Sequence, residues 1–306
     1  MVKLAIIGAQ SPQAGEMIRI LVHHSEVDLV TLYAPSLKGR NVASVHHGLI
    51  GEQSLIFSDR LDLSDVDLLI VADDITQDEY VTNQINESED LKVISLKKDW
   101  LTKHNIENKE VGLSEINRKA LVRGAKNAYL LSPAIVPVLI SLIPLSNFLL
   151  LNSDIDIDII LSPDLINSIN VEEEVKELTN LIKAKQNSFK NKINLRLSPS
   201  QDPSRAVLTD IRLQNNLSID ELERIFEDIY DDHNFTFLSH EITPAEVEGT
   251  QKVIMKLEKP ESDLLNIQLV NDSRLRGGAG DAVHVLNLFF GLHEKTGLYL
   301  KASRFS

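Results

Sequence analysis

Apolar residues occur in short continuous runs in the first half of the chain, and these runs alternate with segments of helical spacing. Such runs are typical of strands buried on both faces of a parallel sheet. The first helical segment covers residues 12–23. The predicted strands are Lys3–Gly8, Val27–Tyr33, Asp67–Ala72, Leu91–Leu96 and Asn127–Leu131. The pattern predicts an α/β domain whose ligands lie at the carboxyl ends of the strands.

The second half alternates polar and apolar residues at a period of two, which is typical of strands with one solvated face. Helices are predicted at 171–187, from Ser218 to about Tyr230, and at about 281–292. The predicted strands are Asp154–Ile160, Ala206–Leu213, Phe235–Leu238, Lys252–Leu257 and Leu264–Val270. We expect an α+β domain of antiparallel strands, residues 134–280, inserted into a domain of residues 1–133 plus 281–306.

Composition and charge narrow the functional classes. The 306 residues carry a net charge of −14, which argues against a nucleic-acid partner. The most apolar stretch, residues 128–151, contains prolines and serines that argue against a membrane span, and no signal peptide is visible. We therefore expect a cytoplasmic protein. The chain has no cysteine, which excludes a thiol nucleophile and thiolate metal ligands.

The loop after the first predicted strand is a candidate phosphate-binding turn. Gly8 suits the tight turn, and Ser11 and Ala14 occupy the spacing of the later glycines in a dinucleotide-binding loop. Gln10 lies between them, and the following helix N-terminus would attract an anion. A plain strand-to-helix turn is the alternative, and the loop alone leaves both interpretations open.

Basic residues mark two further candidate anion sites. Lys38 and Arg40 follow the second strand, where a basic residue favours the 2′-phosphate of NADP and an acid favours NAD. A solvated basic turn explains them equally well. Near the C-terminus, two arginines stand beside glycines that precede a helix, and an anion site and ordinary turn chemistry are equally open there. The residues of this second site are Arg274, Arg276, Gly277, Gly278 and Gly280.

No metal site is predicted. His23-His24 and His46-His47 are adjacent pairs, which cannot adopt the helical spacing of metal-ligating histidines, and we expect His46 and His47 on the surface. Asp73-Asp74 at a strand end is interpreted as a charged loop rather than a magnesium site. The aspartates at 154, 156 and 158 share one strand face, where we expect solvent or basic residues of a neighbouring strand.

Three blocks of sequence resemble the N-acetyl-gamma-glutamyl-phosphate reductases, in the wider group of aspartate-semialdehyde dehydrogenases. The blocks are Leu4–Leu29, Val111–Arg118, and a C-terminal set formed by Asn271–Val283, Asn287–Leu292 and Lys295–Leu298. The resemblance implies a Rossmann-type dinucleotide-binding domain with an inserted α+β dimerisation domain. It also implies a homodimer or homo-oligomer that reduces an acyl phosphate to an aldehyde with NADPH, through a thioester on cysteine.

The chain departs from the family pattern where the resemblance places the chemistry. The position of the family's cysteine corresponds to Pro133 or Ala134, and that of its histidine base to Ser200. Ser132 is the nearby hydroxyl, and a serine needs a base to act as a nucleophile. Arg205 matches a family arginine one position early, so an anion contact by Ser132, Arg205 and Arg274 is expected.

Further family positions are replaced by Asp73-Asp74-Ile75, by Ser273 and by Asp281. We therefore expect a catalytically impaired relative that retains a weakened NADP site or binds another small molecule. Two alternatives stay open: an active NADP-dependent oxidoreductase that forms no thioester, and a purely structural or partner-binding dimer.

Overall fold

The structure is a computed structural model that describes residues 1–52, 54–74, 79–88, 90–201 and 204–302. Some residues of the predicted segments lie outside this range, namely Ile75, Asp202, Pro203 and residues 303–306. Within the described residues, no helix combines the length and the apolar character needed to cross a membrane.

The chain forms two compact units. The first consists of Met1–Leu131 and Gly278–Tyr299, and the second of Ser132–Gly277 and Leu300–Ser306. The junctions therefore fall at 131/132, 277/278 and 299/300, whereas the sequence predicted two boundaries, at 133/134 and 280/281.

The first unit contains a six-stranded parallel sheet in the order β2-β1-β3-β4-β6-β5. Its strands are β1 Val2–Ile7, β2 Val27–Tyr33, β3 Leu68–Val71, β4 Lys92–Ser95, β5 Lys109–Val111 and β6 Asn127–Tyr129. The predicted parallel α/β architecture is confirmed. The short edge strand β5 was not predicted, because three residues carry too little periodicity.

Helices accompany this sheet along the chain. They are α1 Pro12–Leu21, α2 Glu79–Glu87, α3 Lys98–Lys103, α4 Ser114–Val122 and α9 Ala279–Phe289. The core is aliphatic: β3 is buried throughout, and α9 is buried along its whole length. The first turn of α1 therefore lies at the carboxyl end of β1, as the alternating pattern predicts.

The second unit contains a six-stranded mixed sheet in the order β10-β11-β12-β9-β7-β8. Its strands are β7 Ile155–Leu161, β8 Ile193–Pro199, β9 Ala206–Gln214, β10 Thr236–Leu238, β11 Val253–Glu261 and β12 Leu264–Asp272. The expectation of a purely antiparallel layer is wrong, because β7–β8 and β10–β11 pair in parallel. Two helices lie between β7 and β8, and such a crossover lets the second strand run in the same direction as the first.

The described helices of the second unit are α5 Ile135–Asn147, α6 Pro163–Ile166, α7 Val171–Lys185 and α8 Ile219–Tyr230. The predicted capping box at the start of α8 is present between Ser218 and Glu221. Apolar residues of β7 are fully buried on one sheet face, namely Ile155, Ile157 and Ile159.

The other face of this sheet is charged. Asp158 Oδ1 accepts a hydrogen bond from Arg196 Nε at 2.6 Å, and Arg212 also binds this carboxylate. The expectation that basic residues of neighbouring strands meet the aspartates of β7 is confirmed for Asp158.

Candidate functional site

The loop between β1 and α1 has the geometry of a tight turn into a helix. Gly8 has a φ of +75°, a conformation that favours glycine. Ser11 is the N-cap of α1, and its Oγ accepts the N–H of Ala14 at 3.2 Å. Pro12 at the first helical position has no N–H. Ser11 therefore stabilises the helix start, and the N–H of Ala14 is already engaged.

The end of β3 contacts the Gly8 turn. A Cβ on Gly8 would lie 2.6 Å from the backbone nitrogen of Asp73 and 2.7 Å from its Cβ. Glycine is thus required here by the packing of Asp73 as well as by its own φ. Asp74 forms an ion pair with Lys103 at 3.1 Å, and no group of three or more metal-ligating side chains occurs among the described residues.

His46 fixes the same loop from the other side. Its Nε2 lies 2.8 Å from the carbonyl oxygen of Ala9, and its ring packs edge-on against Phe57. A Cβ on Gly15 would lie 2.4 Å from His46 Nδ1, so Gly15 makes room for the imidazole. The expectation of a solvated surface histidine is wrong for His46. His46 and Ala9 are 37 positions apart, and no local sequence pattern indicates that they are in contact.

The surroundings of the loop fit the phosphates of a dinucleotide. Gln10 Oε1 and Gln13 Oε1 are buried and have no hydrogen-bond partner among the described residues. The two ends of a glutamine amide interchange by a half turn, so each side chain can present N–H to an anion. Together with the helix N-terminus, Gln10, Gln13 and the Gly8 turn can hold a pyrophosphate.

An ion pair lies beyond the end of β2, where the sequence predicted free cations. Lys38 Nζ donates to Asp59 Oδ2 at 2.6 Å, and this bond holds the pKa of Asp59 below its usual value. Arg40 is exposed. Asp59 was not predicted as a site residue, because it lies 21 residues after Lys38.

In the second unit, the turn that begins α5 packs against Gly277. A Cβ on Gly277 would lie 2.5 Å from Pro133 N and 2.7 Å from the Ser132 carbonyl carbon. The Ser132 carbonyl accepts N–H groups of the first turn of α5, and its Oγ is buried with no hydrogen-bond partner among the described residues. Ala134, the N-cap residue, is fully buried. The structure therefore brings Ser132, Pro133 and Gly277 together.

Asp272 joins two of the predicted anion-binding arginines. This fully buried carboxylate accepts Arg205 Nη2 at 3.1 Å, and the backbone N–H groups of Gly249 and Arg274 at 2.8 Å each. Burial raises the pKa of Asp272, outweighing the lowering effect of Arg205 and the amides. Arg205 is thus paired with an acid, which the sequence did not predict.

The other predicted site residues have different surroundings. Arg274 is exposed, whereas Arg276 is fully buried. Gly278 is the N-cap of α9. Ser200 follows β8 and donates its backbone N–H to the Leu161 carbonyl at 2.8 Å.

Comparison with known proteins identifies the relatives of this chain. Residues 3–123 match the family model described as semialdehyde dehydrogenase, NAD binding domain. The N-acetyl-gamma-glutamyl-phosphate reductase of Phocaeicola vulgatus is 31% identical over 327 aligned positions, covering 100% of both chains. That of Azobacteroides pseudotrichonymphae is 33% identical, again over 100% of both chains. The chain belongs to the N-acetyl-gamma-glutamyl-phosphate reductase family. The resemblance inferred from three sequence blocks therefore extends over the whole chain.

Solved structures support the same fold. A probable aspartate-semialdehyde dehydrogenase from Pseudomonas aeruginosa superposes with a TM-score of 0.68 at 13% identity, covering 94% of this chain and 98% of that one. The aspartate-semialdehyde dehydrogenase from Candida albicans, solved with NADP, gives 0.66 at 12% identity, covering 95% and 99%. Both confirm the semialdehyde-dehydrogenase fold that the resemblance implied.

The C-terminal block that resembles the reductase family has a structural role in the first unit. His24 is only 4% exposed, and its Nε2 lies 3.0 Å from Asn287 Oδ1. Asn287 Nδ2 donates to the carbonyls of Glu294 and Thr296. Arg118, the last residue of the middle block, forms an ion pair with Glu294. These family motifs hold α1, α4 and α9 together.

Proposed function

We propose that this member of the reductase family binds a nicotinamide dinucleotide in its first unit and does not reduce an acyl phosphate through a thioester. The relatives are named for the reduction of N-acetyl-gamma-glutamyl phosphate. In this proposal the dinucleotide site is retained in a weakened form, and the nucleophile and base of the family reaction are lost.

The turn at the start of α5 carries this proposal. Pro133 and Ala134, the two candidate positions for the nucleophile, have no side chain that can attack a carbonyl or phosphoryl group. Ser132 Oγ has no hydrogen-bond partner among the described residues, so no neighbouring described base is placed to take its proton. Covalent catalysis at this turn therefore lacks both the nucleophile and its activation.

The arginines of the second unit support the same conclusion. Arg205 is expected to hold an anion in a working site, but its guanidinium is paired with the buried Asp272. This pair reduces the positive charge that an acyl phosphate would meet. Arg274 is exposed, so we assign any remaining contact with an anionic small molecule to it.

The loop residues support retention of a dinucleotide. When bound, a nicotinamide dinucleotide supplies a hydride to, or accepts one from, a small-molecule substrate. Gln10 and Gln13 would contact the phosphates, and Gly8 would keep the turn tight. His46 would hold the loop in place through the Ala9 carbonyl.

Two measurements test the proposal. Thermal unfolding with millimolar NAD⁺, NADH, NADP⁺ or NADPH should show a higher midpoint, because a ligand at 100 times its Kd adds about 2.7 kcal/mol to folding. Incubation of the chain with N-acetyl-gamma-glutamyl phosphate and NADPH or NADH should leave the reduced cofactor unconsumed. Turnover would overturn the loss of catalysis, and the absence of any midpoint shift would overturn dinucleotide binding.

Cysteine substitution tests whether only the nucleophile is missing or whether the rest of the catalytic site is missing as well. Pro133→Cys and Ala134→Cys each place a thiol at a candidate position. We expect neither variant to reduce the acyl phosphate, because Ser200 still replaces the histidine base. Restored turnover in either variant would mean that the rest of the site is intact.

We also infer that the second unit pairs with another copy through the charged face of its sheet. On this face Asp158 binds Arg196 and Arg212, and Ile160 on the same strand is 41% exposed. Charges of both signs make such a face complementary to a copy of itself. Sedimentation equilibrium should give a dimer, and Ile160→Lys should weaken it, whereas a wild-type monomer at micromolar concentration would contradict the pairing. A cytoplasmic location stays a prediction.

A further inference from the structure

The chain segment around Ser58 extends the edge of the first sheet beyond β2. Ser58 pairs in parallel with Tyr33, the last residue of β2, and its N–H donates to the Leu32 carbonyl at 2.8 Å. The N–H of Ala34 donates to the Ser58 carbonyl at 2.9 Å. The next residue, Asp59, is therefore held at the carboxyl end of β2.

The carboxylate of Asp59 is fixed in this position by the loop after β2. Lys38 Nζ binds Asp59 Oδ2, and the two side chains are 63% and 33% exposed. Phe57 exchanges backbone hydrogen bonds with Gly39 and Arg40 at 2.9 and 3.0 Å, so the loop and the segment around Asp59 form one local structure. The Lys38 ammonium lowers the pKa of Asp59, which is thus ionised at neutral pH.

The same segment is connected to the phosphate loop. Phe57 is buried and packs against the His46 ring, and His46 binds the Ala9 carbonyl. The end of β2 and the Gly8 turn are therefore joined through these side chains. In Rossmann-type sheets these two places hold the adenine ribose and the pyrophosphate of one dinucleotide.

Resting on the proposed function, we propose that Asp59 selects the cofactor and that the chain prefers NAD(H) to NADP(H). A carboxylate at the end of β2 accepts hydrogen bonds from ribose hydroxyls and repels a 2′-phosphate. Asp59 also offsets the charge of Lys38, one of the two cations that the sequence assigned to that phosphate. The expected NADP preference is thereby reversed, by an acid that comes from a different part of the chain.

Two other cations lie near Asp59, and each could attract the 2′-phosphate that Asp59 repels. Arg40 and Arg60 are both exposed. Exposed charges are hydrated and screened within about 8 Å at physiological salt, and long flexible side chains lose entropy when they are fixed. These exposed arginines therefore add only a weak, screened attraction to a phosphate, while Asp59 sets the ratio between the two cofactors.

Direct binding measurements on the full chain test this assignment. Isothermal titration of wild type, Asp59→Asn and Asp28→Asn with NAD⁺ and NADP⁺ gives the ratio of the two Kd values for each protein. Asp28 is an exposed residue at the opposite end of β2 from Asp59. At 3.3 Å per residue, the two positions are about 20 Å apart along the strand. Its replacement makes the same change in net charge outside the screening distance.

We expect wild type and Asp28→Asn to bind NAD⁺ more tightly than NADP⁺. In Asp59→Asn the ratio should shift toward NADP⁺ by about tenfold or more, because the variant removes a like charge beside the phosphate. Tighter NADP⁺ binding by wild type, or equal ratios in all three proteins, would overturn the role of Asp59 alone. If neither cofactor binds any of the proteins, the proposed dinucleotide function fails, and the assignment fails with it.

Discussion

The buried carboxylate of Asp272 gives a sharp test of how the second unit is held together. Replacing it with alanine removes the acceptor of three hydrogen bonds, from Arg205 Nη2 and from the N–H groups of Gly249 and Arg274. All three bonds have the charged carboxylate as acceptor, and such a bond contributes about 1.5–3 kcal/mol, so the three together give at least roughly 4.5 kcal/mol.

Two effects reduce this sum. Arg205 is 31% exposed, so its guanidinium can recover part of its hydration when its partner is lost. The raised pKa of Asp272 means that burial of the carboxylate costs more than its partners return, and alanine removes that cost. We therefore expect Asp272→Ala to lower the free energy of unfolding by about 3 kcal/mol, near the range for breaking a buried ion pair.

Asp272→Asn separates charge from hydrogen bonding. The amide keeps an oxygen for a backbone N–H but has no charge to bury, so we expect a loss of only about 1 kcal/mol. Asp156→Ala is the matched control, because this carboxylate is 46% exposed and its pair with Arg196 spans 3.6 Å. We expect Asp156→Ala to lower the free energy of unfolding by less than about 1 kcal/mol. Urea unfolding followed by circular dichroism measures all three. Equal losses for Asp272→Ala and Asp156→Ala would refute the reasoning.

Three further predictions follow from packing and burial. Burial lowers the pKa of His24, so the neutral imidazole stabilises the fold fully above about pH 6.5, and this contribution is lost as the pH falls below 6.5 toward the lowered pKa. Urea unfolding should therefore show a smaller loss of unfolding free energy between pH 7.5 and pH 5.5 in His24→Gln than in wild type. Gly15→Ala should destabilise by about 1–2 kcal/mol through overlap with His46, but stabilise by about 0.5–1 kcal/mol in a His46→Ala background, where helix propensity alone acts. Gly277→Ala should lower the thermal midpoint by several degrees, because the overlap is with the backbone of Pro133 and the φ is +72°; an unchanged midpoint would contradict the close contact.

Much of the fold could be predicted because buried parallel strands appear in the sequence as short, continuous apolar runs. Runs such as the one in β3 are apolar at every position, as expected for a short strand covered on both faces. The direction of strand pairing was less accessible. β8 alternates apolar and polar residues from Ile193, which is the pattern of a strand with one solvated face. With β8 identified, the β7–α7–β8 order would have predicted a parallel pair.

The sequence indicated a candidate site only where its residues are close together along the chain. Gly8, Ser11 and Ala14 lie within one turn, and their spacing is meaningful without knowledge of the fold. The ion pairs of Lys38 with Asp59 and of Arg205 with Asp272 join residues 21 and 67 positions apart. No local rule indicates that a basic residue already has an acidic partner. Such residues therefore look like available anion ligands in sequence.

The family motifs found in this chain stabilise the fold, whereas the catalytic cysteine and histidine of the family are absent. The Asn287 amide binds His24 and the carbonyls of Glu294 and Thr296, and a substitution there would leave several buried polar groups unpaired. Loss of a catalytic cysteine or histidine carries no such penalty, since proline, alanine or serine can occupy the same backbone positions. A chain released from the family reaction would keep the first kind of residue and lose the second. The hydrogen bonds of Asn287 and the absence of a cysteine before α5 fit the proposed loss of the family reaction.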